Sequence, residues 1–287
     1  MNLSFAVFRL SNQIGSVLAP NWTAQKAGKR FLTPTRYPIK GWEHDAEQKG
    51  SRFELREGIS AIRWHPESHT GNEARRAQVL LVHGWESRAT QMYGLAAGLL
   101  EQGFDVVAVD MPGHGHSAGD TANPHVFAQT IQLAEDALGR FEIVIGHSMG
   151  AGATAVAVGR GLLTSKMVLI SGPSSVENVL RRFSGFVGLS KKTTDKFVAF
   201  IGRAVGVPAE ALDSTLLLKH CKVPALLIHD ESDVEVPASE SRRLASVLEG
   251  AELFISSGLG HRKVLKSTQV MEKIASFIHR EPARSAA

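Results

Sequence analysis

From residue 50 onward, short apolar runs alternate with longer segments whose apolar residues recur at helical spacing. A strand covered on both faces is apolar along its length, whereas a helix that covers a sheet is apolar on one side. This alternation predicts an α/β fold, with a mostly parallel sheet of about eight strands, helices on both faces and two opening strands that run antiparallel. The predicted strands are residues 53–55, 59–64, 78–82, 105–110, 141–146, 166–171, 225–230 and 251–256. The predicted helices between them are residues 93–102, 124–138, 151–159, 237–248 and 263–279.

Two segments stand outside this alternation. In residues 1–50, an apolar stripe at spacings of four and three predicts an amphipathic helix that lies on the body of the protein, followed by a strap; loose membrane association is the alternative. The stripe consists of Leu3, Val7, Leu10, Ile14 and Val17. Residues 173–220 contain helical fragments and four phenylalanines. They predict a helical cap that forms a lid over a pocket, or else a helical excursion with its own small core.

The expected domain organisation follows from these segments. Residues 1–50 form the amphipathic helix and strap, residues 51–172 and 221–280 the α/β core, residues 173–220 the cap, and residues 281–287 a tail. Oligomeric state cannot be predicted from the sequence.

Composition excludes several classes of protein. The net charge is +4, but the 32 basic residues are scattered without a run of five, which argues against nucleic-acid binding. No apolar run approaches the roughly 18 residues of a membrane span. The single cysteine, Cys221, permits no internal disulfide and fits a reducing compartment, so we expect a cytoplasmic protein in which Cys221 is a small buried apolar residue.

The stretch FEIVIGHSMGAGA, residues 141–153, places Ser148 between Gly146 and Gly150 after an apolar strand. A sharp turn from strand to helix needs small residues two positions on either side of its centre. Such a turn exposes the central hydroxyl beside the positive end of the helix dipole. We therefore predict that Ser148 is a nucleophile rather than an ordinary turn residue.

A serine nucleophile needs a histidine base that a carboxylate orients. After the predicted strand 225–230, the sequence offers four acids: Asp230, Glu231, Asp233 and Glu235. His261 follows in a loop before the last helix. The chain order of serine, acid and histidine is one of those known for such triads.

Five motifs together resemble the α/β-hydrolase fold superfamily over about residues 50–280. They are residues 81–84 (LVHG), 110–117 (DMPGHGHS), 146–150 (GHSMG), 230–237 (DESDVEVP) and 260–261 (GH). The resemblance implies Ser148 as nucleophile, His261 as base and Asp233 as acid. Asp230 stands where the family usually has glycine and is the second candidate for the acid.

The resemblance also implies the donors of an oxyanion hole, namely the backbone N–H groups of Trp85 and Met149. The Trp85 side chain would then line the acyl pocket, with packing in the core as its competing role. We expect His147, beside the nucleophile, to be a packing and pocket residue rather than a second base.

Cofactor binding finds little support in the sequence. His114 and His116 lie near Asp110 and Asp120, but the order His-x-His-x-Asp-His of a metallohydrolase is absent. The glycines of residues 112–115 do not form a G-x-G-x-x-G loop that leads into a helix. We expect neither a metal nor a cofactor.

These observations favour a serine hydrolase that cleaves a carboxylic ester through an acyl-serine intermediate, as carboxylesterases and lipases do. The expected substrate is a small molecule with an apolar acyl or aromatic group. The alternatives are a thioesterase or carbon–carbon bond hydrolase with the same triad, or a non-catalytic binding member of the fold.

Overall fold

A computed structural model describes residues 3–56, 58–66 and 76–280. Its eight strands form one sheet in the order β1-β2-β4-β3-β5-β6-β7-β8. The strands β1 and β2 are antiparallel to their neighbours, and the other pairs are parallel. This architecture confirms the predicted fold class. The strands are β1 (Ser51–Glu54), β2 (Ser60–Trp64), β3 (Gln78–Val82), β4 (Asp105–Val109), β5 (Phe141–His147), β6 (Thr164–Ile170), β7 (Ala225–Asp230) and β8 (Glu252–Ser256).

Helices cover both faces of the sheet, and further helices precede it and interrupt it. The helices are α1 (Leu3–Leu18), α2 (Pro20–Leu32), α3 (Gly41–Gln48), α4 (Tyr93–Glu101), α5 (Pro124–Leu138), α6 (Met149–Gly159), α7 (Val176–Phe186), α8 (Lys191–Val205), α9 (Ser214–Leu217), α10 (Ser239–Ala245), α11 (Gly260–Lys263) and α12 (Thr268–Ile278). The predicted helix 263–279 is divided, because Ser267 adopts an extended backbone between a short 3-10 turn and α12.

The central strands are apolar along their length because each supplies two hydrophobic cores. In β5, for example, Val144 belongs to one core and Ile143 and Ile145 to the other. Side chains alternate between the faces of a strand, so a strand covered on both sides needs apolar residues at every position. Burial on both sides fixes the sheet and therefore the positions at which its carboxyl-end loops emerge.

The N-terminal segment differs from the prediction in one respect. The helix α1 exists and packs on the inserted helices, but its apolar stripe faces outward. Asn12 and Ser16 face the protein instead. Asn12 donates its side-chain N–H to the carbonyl oxygen of Val187 (2.9 Å), and Ser16 Oγ accepts the backbone N–H of Ser190 (3.3 Å). The helix lies on the body of the protein, but polar and aromatic residues rather than the stripe make that contact.

The insertion between β6 and β7 contains the helices α7, α8 and α9. Its phenylalanines pack against the N-terminal segment: the ring of Phe31 lies 5.0 Å from that of Phe183 and 5.9 Å from that of Phe197. Cys221 follows the insertion and packs on the core while partly exposed, so it is less buried than expected. Within the described part of the chain, every helix is too short or too polar to cross a bilayer.

Candidate active site

Ser148 occupies the turn between β5 and α6 with a left-handed backbone, φ 55° and ψ −122°. This region of backbone conformation is unfavourable for a residue with a side chain, and such strain is common at functional sites. The backbone N–H of Ser148 donates to the carbonyl oxygen of Ile170 (2.8 Å), which ties the turn to β6. The side chain is only partly buried, so its hydroxyl is open to an approaching molecule.

Three positions around this turn must be glycine, because neighbouring atoms fill the space that a side chain would need. A Cβ atom on Gly146 would lie 2.5 Å from the carbonyl oxygen of Gly150. A Cβ on Gly150 would overlap the carbonyl oxygens of Val82 and His83, and one on Gly84 would lie 2.8 Å from Ser148 Cβ. The loop after β3 is therefore packed directly against the serine.

The structure brings Ser148, His261 and Asp233 together, although they are far apart in the sequence. The distance between His261 Nε2 and Ser148 Oγ is 2.9 Å, and that between His261 Nδ1 and Asp233 Oδ2 is 2.7 Å. Parallel strands expose their carboxyl ends at one edge, and these residues follow β5, β8 and β7 there. The contacts fit the tautomer in which Nδ1–H donates to Asp233 and Nε2 accepts the serine proton.

Asp233 is held as a carboxylate. Its Oδ1 accepts backbone N–H groups from Glu235 and Val236, both at 2.9 Å, and His229 Nε2 lies 3.4 Å from its Oδ2. Burial alone would raise the pKa of Asp233, but hydrogen bonds from His229, His261 and Val236 outweigh burial and hold the pKa well below its usual range. The ionised form can orient the His261 ring and stabilise a positive charge on it.

Asp230, the second candidate for the acid, makes different contacts. Its carboxylate accepts backbone N–H groups from Ser232 (2.9 Å), Gly260 (2.9 Å) and Leu259 (3.1 Å), and the hydroxyl of Ser256 (2.8 Å). It therefore fastens the loop that leads into His261 rather than the imidazole itself. The geometry favours Asp233 as the partner of His261.

Met149 directly follows Ser148, and Trp85 directly follows Gly84, which packs against the serine. Met149 is the first residue of α6, where an N–H group has no acceptor within its own helix. Among the described residues, neither the backbone N–H of Trp85 nor that of Met149 is hydrogen-bonded to an acceptor in the chain. Stabilising an oxyanion on a molecule bound at Ser148 requires two such donors.

Buried histidines hold the Trp85 loop in place. The backbone N–H of Glu86 donates to His114 Nε2 (3.0 Å), and that of Met111 donates to His83 Nε2 (3.0 Å). Burial lowers the pKa of His114 to about 3, so its ring stays neutral and accepts that hydrogen bond. These contacts give the histidines a role in positioning the loop.

The carboxylate of Asp110 is likewise occupied by hydrogen bonds from neighbouring residues. It accepts the backbone N–H of Ala89 (2.7 Å), the backbone N–H of His116 (3.0 Å) and a guanidinium N–H of Arg52 (2.9 Å). No group of three or more His, Cys, Asp or Glu side chains in residues 3–56, 58–66 and 76–280 is arranged to hold a metal ion.

His147 also positions rather than reacts. Its Nε2–H donates to the backbone oxygen of His261 (2.8 Å), and the two rings lie 4.8 Å apart. Burial lowers the pKa of His147 to about 3, so it is a poor base at neutral pH. The contact fixes the backbone that carries the candidate base.

A cavity of about 620 Å³ lies over Ser148 and His261. Its apolar wall comes mainly from residues 37–42, which include the start of α3, and from the loop after β3. The residues of this wall are Tyr37, Pro38, Ile39, Trp42, Trp85 and Leu265. The Trp85 side chain both lines this cavity and stacks on Phe31, so the two roles expected of it are compatible. Residues 173–220, for which we weighed a lid against a helical excursion with its own small core, contribute no described residue to the lining.

A second cavity, of about 510 Å³, lies among the residues of α7 and α8. Its charged side chains pair with one another, since Arg181 contacts both Glu177 and Asp195. The described residues of its lining include neither a serine nor a histidine, so they offer no chemistry comparable to that at Ser148.

Residues 37–42 line the cavity, although nothing in the sequence pattern predicts this. A strap that contains Trp42 is recognisable in the sequence, but its distance along the chain from Ser148 conceals the contact. His229, which supports Asp233, is likewise not recognisable from the sequence, because it reads as part of an apolar strand.

Comparison with known proteins agrees with this architecture. Residues 79–265, more than half of the chain, match the model of the alpha/beta hydrolase family. A serine hydrolase-like protein of Dictyostelium discoideum is 27% identical over 146 residues, which span 49% of this chain but only 35% of that protein.

Solved structures share the fold at low sequence identity. An esterase from Pyrococcus furiosus has a TM-score of 0.61 and 19% identity, over 86% of this chain and 97% of that one. A carboxylesterase from Bacillus subtilis has a TM-score of 0.59 and 16% identity, over 91% of this chain and 98% of that one. At such identities the structural likeness shows the fold alone, but with the family match it leads to one conclusion: the chain belongs to the alpha/beta hydrolase family.

Proposed function

We propose that this protein is a serine hydrolase that cleaves carboxylic esters through an acyl-serine intermediate. The observation that carries the proposal is the continuous chain of contacts from Asp233 through His261 to Ser148, with distances of 2.7 Å and 2.9 Å. A serine hydroxyl attacks a carbonyl carbon readily only when a base removes its proton. The Ser148 side chain is only partly buried and lines the adjoining cavity, which gives a substrate access to its hydroxyl.

In the acylation step, His261 Nε2 takes the proton of Ser148 as Oγ forms a bond to the ester carbonyl carbon. The carbonyl oxygen becomes an oxyanion, and the N–H groups of Trp85 and Met149 donate hydrogen bonds to it. The tetrahedral intermediate then collapses. The bond to the alkoxy oxygen breaks, and that oxygen takes the proton from His261, so the alcohol leaves neutral and the acyl group stays on the serine.

Deacylation repeats these roles with water. His261 takes a proton from the water molecule, whose oxygen attacks the acyl carbon. The second tetrahedral intermediate expels Ser148 Oγ, which recovers its proton from His261, and the carboxylic acid departs. Each oxyanion donor contributes about 10²- to 10³-fold to the rate in enzymes of this kind.

The cavity supports a substrate with an apolar acyl or aromatic group. Its volume of about 620 Å³ lies within the usual range for small-molecule sites. The aromatic rings of Tyr37, Trp42 and Trp85 supply an apolar surface for such a group. Lys266 lies over the ring of Trp42 (4.2 Å), so part of the rim is cationic.

The test is hydrolysis of p-nitrophenyl esters of increasing acyl length beside matched acyl-thioesters, with Ser148→Ala as the control. We expect ester turnover by the wild type and a loss of at least about 10⁴-fold in the variant, at unchanged thermal stability. Full activity of Ser148→Ala would overturn the proposal. Turnover of thioesters alone would replace esterase by thioesterase while keeping the same residues.

A further inference from the structure

The outer face of α1 is an uninterrupted apolar surface. Helical positions 3, 7, 10, 14 and 17 fall within an arc of about 80°. Their side chains are largely exposed: Leu3 79%, Val7 59%, Leu10 55%, Ile14 52% and Val17 79%. Monomeric proteins rarely expose large contiguous apolar patches, and the patches that they do expose often serve for contact. We call these five residues the α1 stripe.

The opposite face of α1 holds the helix in this orientation. Asn12 and Ser16 are buried and hydrogen-bonded to the insertion, and the ring of Phe5 lies 4.7 Å from that of Phe186. Gly15 is in close contact with Thr23 of α2, where a Cβ would lie 2.5 Å from the threonine hydroxyl. Turning the stripe inward would break these contacts, so its exposure is built into the fold.

The N-terminal segment that carries the stripe is basic. The first 42 residues contain six lysines and arginines and no acidic residue. In α2, Trp22 is 62% exposed and Lys26 lies over its ring. The exposed residues Lys191 and Lys192 open α8 near the C-terminal end of α1, because the adjoining Ser190 is hydrogen-bonded to Ser16 on the face of α1 opposite the stripe. Within the described residues, no ion pair neutralises Lys26, Lys191 or Lys192.

The basic charges favour an anionic lipid surface over a second copy of the chain as the partner of the stripe. A second copy of the chain would bring one basic surface against another, and α1 carries no acidic residue that could form interhelical ion pairs. An anionic lipid surface accepts the apolar side chains below its headgroups and attracts the surrounding lysines. An exposed tryptophan suits the boundary between headgroups and acyl chains.

We propose that the α1 stripe docks the protein on anionic phospholipid membranes. The helix lies in the plane of the interface with the stripe toward the acyl chains, while Lys26, Lys191 and Lys192 contact lipid phosphates. This docking is independent of the proposed esterase chemistry, since none of the residues involved lines the cavity over Ser148.

The experiment is co-sedimentation of the full chain with vesicles of equimolar phosphatidylcholine and phosphatidylglycerol, and with vesicles of phosphatidylcholine alone. We expect binding to the anionic vesicles that weakens as salt is added. Val7→Glu with Ile14→Glu should lower the partition coefficient at least about tenfold, because two apolar side chains leave the membrane. Lys191→Gln with Lys192→Gln should weaken binding to the anionic vesicles and leave binding to neutral vesicles unchanged.

The matched control is Leu163→Glu with Leu216→Glu, which changes two equally exposed leucines elsewhere; it should bind like the wild type. Ser148→Ala should also bind vesicles like the wild type, so a failure of the esterase proposal can be distinguished from a failure of the docking proposal. The docking proposal is overturned if the wild type does not sediment with anionic vesicles or if Val7→Glu/Ile14→Glu binds them normally. It is also overturned if the stripe instead holds together a lipid-free dimer that this variant dissociates.

Discussion

The loops at the carboxyl edge of the sheet and the segment of residues 3–42 meet at the same cavity, but different contacts hold them. At the sheet edge, backbone packs against backbone: Gly150 lies against the carbonyls of Val82 and His83, and Gly84 against Ser148. The segment is held through side chains, such as Phe31 on Trp85 and Arg36 on the carbonyl oxygens of Ser117 and Gly119. The edge therefore tolerates little change, whereas the segment can vary and alter what the cavity accepts.

The largest effect should come from the base at the rigid edge. We expect His261→Ala to lower kcat/KM for a short-chain ester by about 10⁴-fold or more, because His261 is the side chain that the structure places in hydrogen-bond contact with Ser148 Oγ. The matched control is His220→Ala at an exposed histidine, which should leave the rate unchanged. Steady-state kinetics at equal thermal stability measures both, and an active His261→Ala would remove the proposed base.

The next largest effect should distinguish the roles of Asp233 and Asp230, the two carboxylates at the edge of the sheet. Asp233→Asn should lower kcat by about 10⁴-fold, because the amide cannot favour the reactive histidine tautomer. Asp230→Asn should instead lower the melting temperature and leave kcat within about tenfold, because it weakens a loop anchor of four hydrogen bonds. Kinetics and thermal melts of the two variants decide the roles, and the reverse pattern would make Asp230 the acid.

The segment of residues 37–42 should show its role in substrate choice. Trp42→Ala removes an aromatic wall of the cavity, so kcat/KM for long-chain p-nitrophenyl esters should fall by about tenfold while the acetate ester is little affected. Phe186→Ala, in the insertion and away from the cavity lining, is the control. If Phe186→Ala changed the chain-length profile and Trp42→Ala did not, the insertion would be the lid after all.

The smallest effect should be on the pH dependence of stability, through the buried neutral histidines His114 and His147. The pKa values of His114 and His147 are both about 3, whereas an unfolded histidine titrates near 6.5. The unfolded chain therefore binds protons below about pH 6.5 that the folded chain does not. Each histidine should lower the free energy of unfolding by up to about 1.4 kcal/mol per pH unit as the pH falls toward about 3.

His114→Gln keeps an acceptor for the Glu86 N–H and should remove one of these contributions. Denaturant unfolding between about pH 6.5 and 5 measures the slope, with His220→Gln at an exposed position as the control. An unchanged slope in His114→Gln would show that His114 does not stay neutral in the folded protein.

The difference between the two regions also explains what could be predicted from sequence. Steric constraints restrict the residue types that a position accepts, so they can be recognised in the sequence. Examples are Gly146 and Gly150 around Ser148, and the apolar runs of strands that are buried on both faces. Hydrogen bonds between residues far apart in the chain produce no such sequence pattern. The loop-anchoring contacts of Asp230 and the support of Asp233 by His229 are therefore visible only in the structure. The helix α1 is the clearest case, because its stripe predicted the helix correctly but could not indicate which face the protein would cover.

The central claim is that the Ser148 hydroxyl is activated by His261 in the folded protein. A fluorophosphonate probe reacts with such a serine, displacing fluoride and leaving a covalent phosphonate on Oγ. Peptide mapping by mass spectrometry should find the adduct on Ser148 in the wild type and none there in Ser148→Ala, with strongly slowed labelling in His261→Ala. An unlabelled Ser148 in folded protein, or labelling at the same rate without His261, would contradict the account.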